Sequence, residues 1–226
     1  MEGGVPLMLE LGVPASQLIL AAEQTLYMVF ISLVVGTVLA LIMAFTLVLT
    51  NQNSILPNRY VYGVLNAVIN TVRSVPFIIL MVFIMPLTKM IVGTRIGTTA
   101  ALVPLVIFIT PYLTRLFENS ILDVNRGIIE AAQAMGASYF EIVWYFLLPE
   151  ARGSLILSVT TGTIGLIGAT AMAGAIGAGG VGDLALTYGY ERMNTPLMLF
   201  TVIILIIFVQ IIQTVGNHLA YKTRNH

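Results

Sequence analysis

Gln24–Thr50 reads QTLYMVFISLVVGTVLALIMAFTLVLT, 27 residues without a single charge. A helix that crosses the hydrocarbon core of a bilayer needs about 20 mostly apolar residues. This stretch is long enough, and the uncharged run continues to residue 58. Three more uncharged runs follow, at 96–114, 153–182 and 193–221. A further apolar stretch, Val75–Leu87, is short alone and is extended backward through Val61–Val72. The reading is an all-α polytopic membrane protein, one domain over 1–226, with five spans at roughly 24–50, 66–88, 96–115, 153–174 and 196–220. Arg73 falls inside the second span. An intramembrane Arg is costly and marks function by default; equally, its long stem lets the guanidinium snorkel to the interface.

Composition agrees. The chain has 226 residues, of which 58% are hydrophobic and 9% charged, and its mean hydropathy is +0.97. Soluble domains carry about 25% charged residues, so an ordinary water-soluble enzyme is excluded. Ten basic residues balance ten acidic ones and only two are lysines, which excludes nucleic-acid binding through a basic surface. Without Cys there is no disulfide, thiolate nucleophile or iron–sulfur cluster. Residues 1–23 contain three Glu and no Lys or Arg, unlike the positive start of a signal peptide, so the first span is expected to be retained. Positive charge collects on the cytoplasmic side. With five spans and the N-terminus outside, the inner segments hold Arg59, Arg115, Arg126, Arg152, Lys222 and Arg224, against Lys89, Arg95 and Arg192 outside. The C-terminus and the segment 116–152 are then cytoplasmic.

That segment is the only long polar stretch and holds five of the ten acids. Ile128, Ile129, Ala132 and Met135 recur at helical spacing. Gly136 suits the left-handed residue that closes a helix. Ser138 and Glu141 form the pattern of a capping box for a second helix. Phe140, Val143, Trp144 and Leu147 are its expected apolar stripe, and Pro149 is expected to end it. On physics alone this elbow is either a solvated connector or an amphipathic element lying against the inner face of a bundle.

Glu130-Ala131-Ala132, three residues, Gly136, and then Leu148-Pro149 resemble the EAA loop of ATP-binding-cassette importer permeases. Phe146 stands where that family has an aliphatic residue. Arg73-Ser-Val-Pro-Phe-Ile-Ile-Leu, Ile91-Val-Gly-Thr-Arg-Ile-Gly-Thr and Ala173-Gly-Ala-Ile-Gly-Ala-Gly-Gly-Val-Gly are similar to the bacterial methionine-import permeases. The resemblance covers nearly the whole chain beyond the first 20 or so residues. It implies the type I importer fold in the bacterial cytoplasmic membrane. It also implies a homodimer, two cytoplasmic ATPase subunits and an extracytoplasmic methionine-binding protein, with transport of L-methionine and also of D-methionine or related derivatives. The docking stretch would be Glu130, Ala131, Ala132, Met135, Gly136 and Ala137, the small residues allowing close approach and Glu130 supplying an acceptor. Thr170 and Met172, on span four, would lie near the gate. ATP and Mg²⁺ would be used by the partner ATPase, with no cofactor on this chain. Another amino acid or a sulfur compound stays open as substrate.

Other features fit an energised partner. Neither lysine completes the Gly-Lys-Ser/Thr of a P-loop, since Lys89 follows Thr and Lys222 follows Tyr. Ion-coupled carriers usually place acids within their spans, and the spans as bounded contain none. A stand-alone carrier and an intramembrane enzyme are both disfavoured. The latter would lack Cys, a usable His pair and span carboxylates; His218 and His226 stand eight apart. Nine of 20 glycines fall within 162–189. Gly162, Gly165 and Gly168 suit close helix packing, within one subunit, between subunits or along a path. Gly177, Gly179 and Gly182 spell GxGxxG, but a membrane helix precedes them and no acid stands 20 residues on, so a glycine-rich external turn is expected. Pro76, Pro86, Pro104 and Pro111 mark bends or breaks. Thr46, Asn66, Asn70 and Thr163 either face substrate or bond their own helices.

Overall fold

The computed structural model describes residues 12–52, 54 and 56–224, with the side chains of Arg126 and Arg224 left aside. The acidic N-terminal flank lies mostly outside those residues. The described chain is helical throughout. Helix α1 spans Ala15–Thr50, α2 Arg59–Ser74, α3 Phe77–Val92, α4 Thr98–Leu122 and α5 Arg126–Ala134. Helix α6 runs Tyr139–Gly174, α7 is the short Val181–Asp183, and α8 is Thr195–Arg224.

Four of these helices are long and apolar enough to cross a membrane. The expected second span, 66–88, is instead two helices meeting at a bend of 112°. The reason is local. Pro76 has no N–H, and its ring disfavours helical geometry at Val75. Helix α2 therefore ends at Ser74, whose hydroxyl donates to the Thr71 carbonyl at 2.7 Å. Pro76 then starts α3 by accepting from the Ile79 and Leu80 amides. The other three prolines sit inside helices that continue through them. Arg73 is exposed on the last turn of α2, where a cation complements the helix dipole.

The polar segment 116–152 is also shorter than expected. Helix α4 continues through Glu118 to Leu122, and α6 begins at Tyr139, so the connection between them is 123–138. Pro149 does not end a helix. The backbone before it widens into a π-helical stretch, Ile142–Leu147, with the Leu148 amide reaching back to the Val143 carbonyl. Proline cannot make the i→i−4 bond and collides with that carbonyl. A π turn, with its i→i+5 bonds, absorbs both problems and lets α6 run on.

The contacts fall into two compact units. The first takes residues up to 35, 75–108 and 163–212. Its core joins Val13 and Leu197 to Leu18, Tyr188 and Phe200, and Phe77 meets Phe108 edge-on at 5.1 Å between ring centroids. The second takes 36–74, 109–162 and 213–226. Its spine is Ile109, Leu113, Phe117 and Ile121 on α4, every fourth residue and each at most 2% exposed. Gly36 and Gly162 let neighbouring backbones approach that spine, against Ile109 and Leu113 respectively. By contrast, only 11% of the apolar window of α8 is buried, which leaves Val202, Ile203, Ile206 and Ile207 facing outward, as a lipid-contacting helix requires.

Candidate functional site

The candidate site grows out of the end of α4. Asn125 accepts from the Gly127 amide at 2.9 Å and starts α5, an N-cap not singled out from the sequence. Nine residues later the helix closes. The Gly136 amide donates to the Gln133 carbonyl and the Ala137 amide to the Ala132 carbonyl, each at 3.0 Å. These two bonds are the Schellman pattern. They need a left-handed residue at position 136, and Gly136 has φ +80°. Ser138 and Glu141 then form the full reciprocal capping box, with the Ser138 amide donating to Glu141 Oε2 at 2.7 Å. Replacing Ser138 with Ala removes one arm of that box. A cost of about 1 kcal/mol should appear as faster hydrogen exchange at the first amides of α6, with 153–174 unchanged.

Of the expected docking residues, Glu130, Ala131, Met135 and Gly136 are exposed and Ala137 is half-buried. Ala132 is fully buried. Its small size therefore serves packing within the chain, not the approach of a partner. Glu130 and Gln133 line a cavity of about 350 Å³ whose other walls include Val48, Leu49, Asn51 and Ser54. No atom lies within 4 Å of where a Cβ on Gly136 would stand, so the turn is open to a partner surface.

The apolar stripe after Ser138 differs from the expected one. Ile142 and Leu147 are the buried pair, at 0% and 1% exposure. They are five apart, the spacing a π turn brings onto one side. Phe140 and Trp144 are exposed and stack on each other with ring centroids 6.0 Å apart. With Met135, Tyr139 and Tyr145 they present an exposed apolar surface beside the Gly136 turn.

The other candidates lie apart from this turn in the sequence. Thr170 is 2% exposed and its hydroxyl donates to its own helix, at the Ile167 carbonyl, 2.7 Å away. Met172 is half exposed. Thr46 bonds its own helix, at Ile42. The glycine-rich stretch is no free turn. Gln24 accepts from the Gly180 amide at 2.8 Å, Thr25 from the Val181 amide at 2.9 Å, and Thr98 donates to the Ala178 carbonyl at 2.9 Å. Gly177, Gly179 and Gly180 all have positive φ, which glycine alone adopts freely.

One polar cluster escaped the sequence reading. The Arg115 guanidinium donates to Glu118 Oε2 at 2.6 Å, to Asn70 Oδ1 at 2.8 Å and to Asn66 Oδ1. Glu118 is 5% exposed. The spacing of Asn66 and Asn70, one helical turn apart, was the available signal.

Among the described residues no group of three or more His, Cys, Asp or Glu is placed to hold a metal. Residues 36–225 match the family described as binding-protein-dependent transport system inner membrane component. The chain is 47% identical, over 91% of its own length and 91% of the relative's, to a probable D-methionine transport system permease protein of Vibrio cholerae. It is 43% identical to a methionine import system permease protein of Bacillus subtilis, over 76% of this chain and 77% of that one. Its fold superposes on a chain from inward-facing conformations of the MetNI methionine ABC transporter with a TM-score of 0.90, at 39% identity, covering 92% of this chain and 97% of that one. The chain belongs to the family of binding-protein-dependent transport system inner membrane components, as a multi-pass permease.

Proposed function

We propose that this chain is the permease of an ATP-driven importer for methionine. The observation that carries the reading is the near full-length match to a D-methionine permease. The absence of a P-loop sequence means that the energy enters through a separate ATPase subunit, which hydrolyses ATP with Mg²⁺. That partner docks on the exposed Glu130, Ala131, Met135 and Gly136 and the half-buried Ala137, a helix seated in a groove. Two ATPase subunits, a second copy of this chain and an extracytoplasmic methionine-binding protein complete the assembly. The N-terminus is outside and the C-terminus in the cytoplasm. The path runs near Thr170 and Met172 in each copy.

The test is uptake of radiolabelled L-methionine into proteoliposomes that hold this chain with its ATPase, with the binding protein outside and ATP on the ATPase face. Uptake that needs ATP, and that only L-methionine, D-methionine and close analogues compete, is the expected result. Hydrolysis stimulated by the binding protein without methionine uptake would discard the substrate and keep the importer. The competitor panel would then favour the second reading, a permease for another amino acid or sulfur compound.

A further inference from the structure

We infer that Arg115 is a positioning residue of the transport cycle, holding α2 to the turns of α4 that lead into the docking segment. The inference rests on the importer reading above. It starts from how little of α2 is buried. Ile69 is the only buried residue on that helix, while Tyr60, Val61, Val64 and Val68 are exposed. At its far end the 112° bend at Pro76 removes the support a straight continuation into α3 would give.

Arg115 supplies the missing tie. One guanidinium nitrogen donates to the side-chain oxygens of both Asn66 and Asn70. The other donates to Glu118. A planar fork with fixed donor directions bridges three acceptors in this way, and a lysine ammonium does not. Burial raises the stakes. The Arg115 side chain is 17% exposed and that of Glu118 7%. A buried charge left without its partner is strongly unfavourable, so Arg115 and Glu118 hold each other and, through the two Asn, the helix α2.

Position then gives this tie a role. Glu118 lies one turn before α4 ends at Leu122, and Asn125 starts α5 three residues further on. Helix α5 carries Glu130 to Ala132 and closes at Gly136. On the same turns of α4, Ser120 shares a hydrogen bond of 2.9 Å with Ser158 of α6. A displacement of the docking turn therefore reaches α4 directly, and Arg115 ties α4 to α2 through Asn66 and Asn70. Hydrogen bonds to a charged donor are about twice as strong as neutral ones, which suits a contact that must hold through repeated strokes.

The experiment uses the assembled importer in proteoliposomes. Asn66→Ala/Asn70→Ala removes both acceptors on α2 and leaves the Arg115–Glu118 pair intact, so no buried charge is stranded. ATPase association and hydrolysis should stay at the wild-type level, while methionine taken up per ATP hydrolysed falls at least fivefold. Asn66→Ala/Asn70→Asp, which restores one acceptor, should recover most of that ratio. A purely structural cluster would change thermal stability and leave the ratio per assembled complex unchanged, and that outcome overturns the inference. Should the double variant fail to assemble, Arg115→Lys carries the same comparison, with a lowered or an unchanged ratio deciding it.

A second readout is independent of the substrate. The chain has no Cys, so Tyr60→Cys and Leu122→Cys place one spin-label pair in each labelled copy, read in complexes diluted with unlabelled permease so that distances between copies do not contribute. Their separation should be narrow and unchanged by nucleotide with both Asn present, and should broaden when both are Ala. Equal distributions in the two proteins overturn the inference even if methionine proves not to be the substrate. Absence of methionine uptake by the unmodified complex would, separately, refute the substrate reading alone.

Discussion

Gly182→Ala should cost this protein most of its folded population in membranes. A Cβ at position 182 would stand 2.7 Å from the Ala171 carbonyl oxygen and 2.9 Å from its carbonyl carbon, and closer still to its Cα. Real Cβ atoms do not approach backbone so closely, and backbone cannot swing aside as a side-chain tip can. The reciprocal contact is as tight. A Cβ on Gly174 would lie 2.8 Å from the Gly182 carbonyl carbon and 2.9 Å from Asp183 Cα. The end of α6 and the start of α7 therefore cross backbone to backbone. Separating them would also disturb the bonds from Gly180 and Val181 to Gln24 and Thr25. Overpacking of this kind costs about 1–3 kcal/mol where side chains can yield, and this site offers none to yield. Yield of monodisperse protein after detergent extraction, and its thermal midpoint, are the measurements. Gly63→Ala is the control: Gly63 is helical, exposed and has no atom within 4 Å of its Cβ position. Ala there should hold the midpoint or raise it, by up to about 1 kcal/mol of helix propensity. Equal behaviour of Gly182→Ala and Gly63→Ala would refute the crossing.

Gly136→Asp is expected to leave the protein folded and to abolish its hold on the ATPase. A Cβ at position 136 meets no atom within 4 Å beyond its chain neighbours. The backbone at 136 is left-handed, φ +80°, a region that Asp and Asn enter more readily than other side chains. The strain stays near 1–2 kcal/mol, and the helix caps at Asn125 and Ser138 remain. What changes is the surface. A carboxylate projects where the turn was bare, beside Met135 and the exposed Phe140–Trp144 stack. Burying that charge in an apolar interface without a partner is unfavourable by several kcal/mol. ATPase recovered with the permease should fall at least tenfold, equivalent to about 1.4 kcal/mol or more. Gly136→Asn separates bulk from charge, since it has the same size and no charge. Normal co-purification of Gly136→Asp would place the docking surface elsewhere and remove the main support for the role of residues 130–137.

The features that were legible in the sequence are those with short-range causes. An uncharged run of bilayer length has one stable environment, because every backbone group must be satisfied within the helix. The Gly136 turn and the Ser138–Glu141 box were readable because each is closed by bonds spanning a few residues. The misread features share another cause. Phe140, Val143, Trp144 and Leu147 were grouped on a period of 3.6, but the π turn before Pro149 changed the period: Leu147 is buried as expected, now paired with Ile142, while Phe140 and Trp144 are exposed. The second span was drawn through Pro76, although the restriction on Val75 was there to be applied. Glu118 was assigned to a loop because the uncharged run stops at Arg115; the pairing of these two residues is what lets α4 carry both.

The sequence by itself determined that this chain is a multi-pass helical membrane protein, where the Gly136 turn lies and how it is capped. Those outcomes follow from hydropathy and from hydrogen bonds between near neighbours. Only the tertiary structure decided which residues meet across the chain. Arg115 finds Asn66 and Asn70 some 45 to 49 positions away. Gln24 and Thr25 hold amides 156 positions along the chain, and Gly182 lies against Ala171. Such pairings depend on how helices cross, and a glycine that permits a backbone contact is identical in sequence to one that faces open space.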